Sequence, residues 1–231
     1  ANLNGQGPFE VEHHQLLECY EVILRARVEL HKQAKRSSNK LLLEQQDAVA
    51  EALGYEDADL LMADVASAAR RISWNIDELC YGIENVGLSG VWNFGKKVGD
   101  TIKGKRKPVS STLLADMDIT PEQVLRIALQ TARNQERFSP ETIRRLRQAN
   151  LAILDPWTDE LRELFIDLLL VGHDAIPVFE TLDQLDLFVP FLPEWKPARS
   201  RPQRNAYHRF TVDRHLPVSY THLRAHETTR Y

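Results

Sequence analysis

Residues 57–83, DADLLMADVASAARRISWNIDELCYGI, indicate the fold class of the whole chain. Apolar side chains recur in this stretch at steps of three to four residues, which is the period of an amphipathic helix. They are Met62, Val65, Ala69, Ile72 and Ile76. Asp57 and Asp59 stand where acidic side chains favour the positive end of a helix dipole. We therefore predict one long helix that begins near Asp57 and ends near Ile83.

Helical periodicity continues towards the N-terminus. One helix is predicted from about Phe9, and a second from about Leu41 to Leu53. Gly54 follows as the C-terminal cap of the second helix, because glycine readily adopts the left-handed backbone that often ends a helix. The short connections between these helices favour antiparallel packing.

Residues 119–191 carry a second set of helix signals. Residues 120–123, TPEQ, combine a threonine N-cap with a proline at the first helical position and an amide at the third. Residues 139–141, SPE, repeat this device, and a longer helix is predicted over 157–171. The chain is therefore predicted to be all-α, with two successive helical bundle segments.

The composition excludes several classes of protein. With 231 residues, 43% of them apolar, the chain can bury the core of one or two domains. A net charge of −4 gives no general attraction to nucleic acid. No apolar run reaches the roughly 18 residues of a membrane span, and no secretory signal pattern is present. We expect a soluble, cytoplasmic protein with no nucleic-acid or membrane partner. Cys19 and Cys80 are expected to be buried free thiols rather than a disulfide.

Three polar residues on the first two predicted helices are candidates for a structural or supporting role. Arg27 and His31 are four residues apart and therefore lie on one face of the first helix. Asp47 belongs to the second helix. One interpretation is a buried polar staple in which Arg27 and Asp47 form an interhelical ion pair. The other is that this face supports a neighbouring catalytic domain.

The sequence changes character at residues 192–215, LPEWKPARSRPQRNAYHRFTVDRH. This stretch is too polar and too rich in proline for a core element, and too aromatic for a disordered tail. Its last part is more apolar, and His208 and His215 are seven residues apart, or two helical turns. A helix that begins with paired histidines needs partners further along the chain.

Three motifs of this stretch, LPEW at 192–195, RPQRNAYH at 201–208 and TVDRH at 211–215, together resemble one junction in a known family. It is the junction that leads into the metal-dependent HD phosphohydrolase domain of the bifunctional PII uridylyltransferase/uridylyl-removing enzymes. An R-x-x-L-H motif at 27–31 and a Q-D-x-V-A motif at 46–50 resemble the helical region that follows the nucleotidyltransferase core of the same enzymes.

The resemblance, which covers about residues 9–216, implies a metal-dependent parent enzyme. His215 matches an early metal ligand of HD domains, with His208 and Asp213 as nearby supports. The metal of such a domain activates water for attack on a phosphodiester. The remaining ligands would lie beyond residue 231, so we expect a divalent metal, magnesium or manganese, in the parent and none in this chain alone.

Nucleotide transfer is not expected from this chain by itself. The transferase core of the family carries a Gly-Ser pair followed by an Asp-x-Asp metal-binding pair, and this sequence has neither. Residues 57–59, DAD, fit Asp-x-Asp superficially, but they stand at a predicted helix start with no preceding strand. His173-Asp174 likewise looks like an HD pair but falls at a predicted helix end, where we expect a polar turn.

The resemblance therefore implies the inactive, helical middle fragment of an enzyme that acts on the nitrogen regulatory protein PII. The parent would uridylylate or adenylylate PII and remove the nucleotide again in response to glutamine. PII is the expected partner, whereas nucleoside triphosphate and glutamine would bind only the parent. The choice between UTP and ATP stays open, because the base-contacting residues belong to the missing transferase core.

Two alternatives remain beside this reading. One is a stand-alone helical protein-interaction module. The other is a fragment of glutamine synthetase adenylyltransferase, which shares the plan of a transferase core followed by helices. That group lacks the start of an HD domain, so residues 207–215, YHRFTVDRH, argue against it.

The chain is expected to divide into a helical region following the nucleotidyltransferase core, a basic glycine-rich loop, a second helical segment, a linker with the first helix of a truncated HD domain, and a tail: 1–90, 91–118, 119–191, 192–216 and 217–231. In the loop, four cations either contact PII or belong to a solvated linker: Lys103, Lys105, Arg106 and Lys107. The tail, PVSYTHLRAHETTRY, shows no apolar period and resembles translated sequencing-adaptor read-through, so it is assigned no role.

Overall fold

The computed structural model describes residues 13–35, 37–85, 119–153, 156–203 and 211–213. Helices dominate these residues, and no β-sheet is found among them. The prediction of an all-α fold is confirmed.

Seven α-helices are described, together with two short 3-10 turns. The helices are α1 His13–Ala34, α2 Leu43–Leu53, α3 Ala58–Asn85, α4 Pro121–Arg133, α5 Pro140–Arg147, α6 Asp159–Val171 and α7 Ile176–Gln184. The turns are Gly172–Ala175, between α6 and α7, and Pro193–Trp195.

The chain forms two compact units. The first unit contains the described residues of Val11–Asp77 and Glu194–Ser219, and the second unit contains the described residues of Glu78–Pro193. The described residues after Pro193 thus group with the N-terminal helices, although more than a hundred residues separate them in the sequence.

The core of the first unit lies where α1, α2 and the start of α3 meet. Its buried residues are Ala26 and Leu30 from α1, Val49 and Ala50 from α2, and Ala58 and Leu61 from α3. Burial of a large aliphatic side chain stabilises a fold by about 1.5–3 kcal/mol, so Leu30, Val49 and Leu61 supply most of what this cluster contributes.

Local signals set the helix boundaries in the first unit. Gly54 ends α2 with a φ of +80°, and its amide donates to the carbonyl of Glu51 at 3.1 Å. Asp57 then begins α3, because its Oδ1 accepts a hydrogen bond from the amide of Leu60 at 2.8 Å. The predicted glycine cap and the predicted acidic helix start are both confirmed, so residues 57–59 belong to a helix start.

In the second unit, α4 packs against α6, the turn Gly172–Ala175 and α7. The amide of Gln123 donates to Thr120 Oγ1 at 3.3 Å, and the amide of Thr120 donates to Gln123 Oε1 at 3.0 Å. This reciprocal pair is the capping box expected from residues 120–123. The core of the second unit includes five almost fully buried residues, which are Leu125, Ala128, Leu146, Leu168 and Leu182.

Aromatic side chains complete the core of the second unit. Trp157 meets Phe165 edge to face, with ring centroids 5.2 Å apart, and Phe179 meets Phe188 in the same way at 5.3 Å. Edge-to-face contacts of this kind add to the stabilisation from buried area, because the positive ring edge meets the negative ring face.

Candidate functional site

A buried ion pair in the first unit joins α3 to the predicted start of the HD segment. Arg70 Nη1 lies 2.7 Å from Asp213 Oδ2, and the two residues are 143 positions apart in the sequence. The side chain of Asp213 is 0% exposed and that of Arg70 is 11% exposed. Both charged groups are therefore almost completely shielded from water. The attraction between them is not screened by solvent, and it depends on the direct contact between the two groups.

The same carboxylate oxygen accepts a second hydrogen bond from the backbone. The amide of Ser200 donates to Asp213 Oδ2 at 2.8 Å. Ser200 is buried and has a φ of +56°, a left-handed conformation that costs a non-glycine residue on the order of 1–3 kcal/mol. A charge-assisted hydrogen bond is stronger than a neutral one, so the contact with Asp213 offsets this strain.

Backbone hydrogen bonds hold the segment around Ser200 in place. The amides of Ala198 and Arg199 both donate to the carbonyl of Trp195, at 3.0 and 2.9 Å. The amide of Val212 donates to the carbonyl of Arg201 at 3.0 Å, which brings residues 211–213 alongside this turn. We call Arg70, Ser200 and Asp213 the Asp213 anchor.

The Asp213 anchor can fix a chain segment. Oδ2 of the buried carboxylate accepts hydrogen bonds from a guanidinium and an amide, so this oxygen is engaged in a structural contact. The supporting role predicted for Asp213 is consistent with this geometry and stays a prediction.

Sequence reasoning missed Arg70. The amphipathic period of α3 identifies one apolar face, which contains the buried Leu61. Arg70 follows Leu61 by nine residues, or two and a half helical turns, and so lies on the opposite face, which sequence reasoning assigns to solvent. The available signal was Trp74, a buried aromatic residue one turn beyond Arg70 on that nominally polar face.

The polar candidates on α1 and α2 are arranged differently from the predicted staple. The side chains of Arg27 and Asp47 are both exposed, so the prediction of a buried ion pair between them is wrong. The face of α1 that meets α2 is instead the one carrying Ala26 and Leu30, and Arg27 is turned about 100° from Ala26.

His31 has a structural partner on the connection between α1 and α2. Its Nε2 lies 2.8 Å from the carbonyl oxygen of Ser38, and the side chain is half-buried. Gln33 Nε2 donates to the carbonyl oxygen of Ala48 on α2 at 3.0 Å. The first contact holds the α1–α2 connection against α1, and the second joins α1 directly to α2. A further supporting role for His31 stays a prediction.

Both cysteines are free thiols. Cys19 is half-buried, and burial is the main cause that raises the pKa of its thiol, with Glu18 adding to the effect and Arg71 opposing it. Cys80 is exposed, so the expectation that both thiols are buried is wrong for Cys80.

The described residues do not contain a complete metal site. No group of three or more His, Cys, Asp or Glu side chains in the described part of the chain is arranged to hold an ion. His208 and His215 lie outside the described residues, as do the four loop cations Lys103, Lys105, Arg106 and Lys107. His173 and Asp174 lie in the turn Gly172–Ala175, and Asp174 Oδ2 accepts a hydrogen bond from Gln135 Nε2 at 2.8 Å. The predicted polar turn is confirmed.

None of the helices described is both long and apolar enough to cross a membrane.

Comparisons with known proteins match the chain to one family. A family model described as GlnD PII-uridylyltransferase matches residues 3–80. A bifunctional uridylyltransferase/uridylyl-removing enzyme of Streptomyces coelicolor is 33% identical over 87% of this chain and 26% of its own length. Enzymes of the same name from Mycobacterium tuberculosis and Vibrio cholerae are 27% and 26% identical, over 95% and 89% of the chain. No solved structure matches.

The chain spans about a quarter of the length of these curated relatives. Residues 192–215, which carry the resemblance to an HD junction, lie outside the family-model match at 3–80. The pairwise similarities cover about nine-tenths of the chain.

Proposed function

Because this chain is homologous, along about nine-tenths of its length, to one segment of the bifunctional uridylyltransferase/uridylyl-removing enzymes, we propose that it is the helical middle region of such an enzyme. The whole protein would attach a uridylyl or adenylyl group to PII and remove it again in response to glutamine. The observation that carries this proposal is the identity of 33% with the Streptomyces coelicolor enzyme over 87% of the chain.

The described structure supports a spacing role for this region. The first unit is built from long helices, and it includes Asp213, which belongs to the motif that resembles the start of an HD domain. The ion pair between Arg70 of α3 and Asp213 gives these two parts of the chain a defined contact within one unit. This role needs no reactive group, which agrees with an anchor made of a guanidinium, an amide and a buried carboxylate.

The TVDRH motif at 211–215 supports a metal cofactor in the whole protein. The removal reaction would use a divalent metal, magnesium or manganese, with His215 as one ligand and the other ligands supplied by the rest of the protein. The nucleoside triphosphate and glutamine would also bind outside this region. The cytoplasm is the proposed location, because PII and glutamine signalling are expected there.

A PII modification assay tests the proposal. The reading frame would be extended in the source DNA, and the complete protein would be incubated with PII, magnesium and labelled UTP or ATP. We expect transfer of label to PII, followed by its release when glutamine is added. The 231-residue chain alone is the control and is expected to transfer nothing. A complete, folded protein that neither labels PII nor releases label would overturn the proposal.

The basic loop is proposed to contribute to PII docking. Lys103, Lys105, Arg106 and Lys107 give it a concentrated positive charge, which would steer an acidic partner surface towards it. Reversing these four charges to glutamate is expected to weaken PII binding and reduce its salt dependence. Reversal at Lys40, an exposed residue on the α1–α2 connection, is the control. Unchanged PII affinity in the fourfold variant would reject the docking role.

A further inference from the structure

We infer that α1 is a self-association surface, on which a second copy of this chain packs its own α1 in the antiparallel direction. The surface is a row of four large apolar side chains, each between 41% and 66% exposed, which we call the α1 stripe: Leu17, Tyr20, Leu24 and Val28. Pairing of this kind goes beyond the proposed function and does not depend on it, because it uses only residues of α1.

The α1 stripe follows the period of the helix. Its members are separated by three, four and four residues, so at about 100° per residue they lie within an arc of about 80°. From Leu17 to Val28 the row is about 17 Å long, at about 1.5 Å per residue. Single exposed leucines are ordinary on a protein surface, whereas a contiguous apolar row is typical of a face that packs against a partner.

The core of the first unit lies on the other side of α1. Ala26 and Leu30 belong to the buried cluster that α1 shares with α2 and α3. Leu24 is turned about 160° around the helix from Ala26. The helix therefore has two apolar sides, of which the fold of the first unit uses one. A partner can cover the α1 stripe without any rearrangement of that core.

Two exposed charges beside the α1 stripe fit a second copy of the same helix. Glu21 and Arg25 lie on one flank of the stripe, and neither forms a salt bridge with another described residue. When two α1 helices pair antiparallel around a twofold axis at the level of Ile23, Glu21 of each copy faces Arg25 of the other. The twofold axis forms this pair of opposite charges twice. A parallel pair would instead place like charges opposite each other.

The same register also matches the apolar and aromatic side chains. Leu17 meets Val28 of the second copy at each end of the stripe, and Leu24 lies next to the axis. On the other flank, Tyr20 comes close to the exposed Arg27 of the second copy, whose guanidinium can lie over the ring in a cation–π contact. Apolar meets apolar, acid meets base and cation meets ring in one register. This agreement favours a second copy of α1 over an unrelated partner.

The expected pairing is weak and reversible. Two helices that meet over so short a row bury less than the roughly 800 Å² per partner of a standard interface. The charge pairs lie at the exposed edge, where they select the partner and its direction more than they add affinity. We therefore expect a dissociation constant on the order of 10–100 µM.

Sedimentation equilibrium measures the mean mass in solution and so tests the surface. Between about 1 and 200 µM, a range that brackets this dissociation constant, the mass of the chain should rise from 26.5 kDa towards twice that value. Leu24→Glu brings two carboxylates together at the axis and should keep the chain monomeric. The matched control is Leu170→Glu, at a residue of α6 that is 47% exposed, which should leave the mass unchanged. A chain that stays monomeric throughout, or a dimer that Leu24→Glu does not weaken, would overturn the inference.

Charge reversal tests the antiparallel register. Glu21→Arg alone and Arg25→Glu alone each place like charges opposite one another twice per dimer, so each should raise the dissociation constant by about 10-fold. Glu21→Arg combined with Arg25→Glu restores both pairs and should return the constant to within about twofold of the parent value. A double variant that dimerises as weakly as the single ones would reject this self-pairing, because the partner surface would then not have changed with it.

Disulfide cross-linking reports the direction of pairing. In a background that lacks both native thiols, Cys19→Ser with Cys80→Ser, copies of Leu24→Cys should cross-link under oxidation. Copies of Leu17→Cys should not, because antiparallel pairing places them about 18 Å apart along the helices, beyond the roughly 7 Å between Cα atoms that a disulfide spans. A mixture of Leu17→Cys and Val28→Cys chains should cross-link. Cross-linking of Leu17→Cys to itself would contradict the antiparallel arrangement.

The complete protein shows whether the whole enzyme uses this surface. Its mean mass should again rise with concentration, and Leu24→Glu should weaken its dimerisation. A complete protein that is monomeric where the 231-residue chain is a dimer would refute the inference, because another part of the protein then covers the α1 stripe. PII modification by the complete protein is a separate readout, so failure of the pairing and failure of the proposed function are distinguishable.

Discussion

The ion pair between Arg70 and Asp213 should contribute to stability in a way that only paired substitutions reveal. Arg70→Met leaves a carboxylate whose side chain is 0% exposed without its guanidinium partner. Asp213→Leu leaves a guanidinium that is 11% exposed without its carboxylate. Each change retains the cost of keeping one charge out of water while removing the attraction that offsets it.

The expected magnitude follows from burial and distance. Two unit charges about 4 Å apart interact by about 4 kcal/mol at an effective dielectric constant of about 20. Removing one partner of a buried pair costs about 3–5 kcal/mol, because the remaining ion is uncompensated. Replacing both partners by apolar residues is often nearly neutral, so the double variant should be within about 1 kcal/mol of the parent.

Urea denaturation followed by far-ultraviolet circular dichroism measures these differences in the free energy of unfolding. The control is Arg133→Met, which breaks the exposed pair between Arg133 Nη2 and Asp167 Oδ2 at 2.8 Å. The side chains of that pair are 57% and 46% exposed, so its loss should cost less than about 1 kcal/mol. The reasoning is refuted if Arg70→Met costs no more than this control, or if the double variant is as unstable as either single one.

Three further substitutions test the local structure by the same unfolding measurement. Gly54→Ala should lower the free energy of unfolding by about 1–2 kcal/mol. The cause is the φ of +80° alone, because nothing lies within 4 Å of the added Cβ. Gly54→Asn should cost less, and equal losses of stability in the two variants would contradict this explanation. Leu146→Ala should cost about 2–5 kcal/mol because Leu146 is fully buried, while Leu170→Ala, at a residue 47% exposed, should stay within about 0.5 kcal/mol; similar costs would reject the assigned core. Burial, together with the hydrogen bond to Asp64, raises the pKa of Tyr55 above its ordinary value of 10.0, so the folded state favours the neutral phenol. The stability that this raised pKa contributes is complete below pH 10 and is lost as the pH rises through the raised pKa. Tyr55→Phe should lack this alkaline loss of stability, and an identical dependence of the unfolding free energy on pH in both proteins would refute the assignment.

The sequence predicted those features that depend on neighbouring residues. The capping box of Thr120 and Gln123, the glycine cap at Gly54 and the acidic start of α3 at Asp57 are each determined within a few positions. Their chemistry is local, because an N-cap side chain binds an amide two or three residues away and a left-handed cap needs only one glycine. These elements were therefore accessible without any knowledge of tertiary structure.

The contacts that depend on tertiary structure were not accessible in the same way. Periodicity predicted that the helices pack, but the exposed positions of Arg27 and Asp47 show that it did not identify which polar residues meet. The Asp213 anchor joins positions 143 residues apart, on a helix face that the apolar pattern assigns to solvent. A pair of this kind becomes visible only when the fold has brought the two segments together.

The reading frame beyond residue 216 is the measurement that tests the central claim most directly. Sequencing of the source genomic DNA should show codons for apolar residues at helical spacing in place of PVSYTHLRAHETTRY, followed downstream by codons for a His-Asp pair. Upstream, the same frame should contain a Gly-Ser pair and an Asp-x-Asp motif. That result would identify the chain as the helical middle of a PII-modifying enzyme and would place His215 at the start of its hydrolase domain. A frame in which PVSYTHLRAHETTRY is encoded and directly followed by a stop codon would contradict the hydrolase assignment and favour a stand-alone helical module.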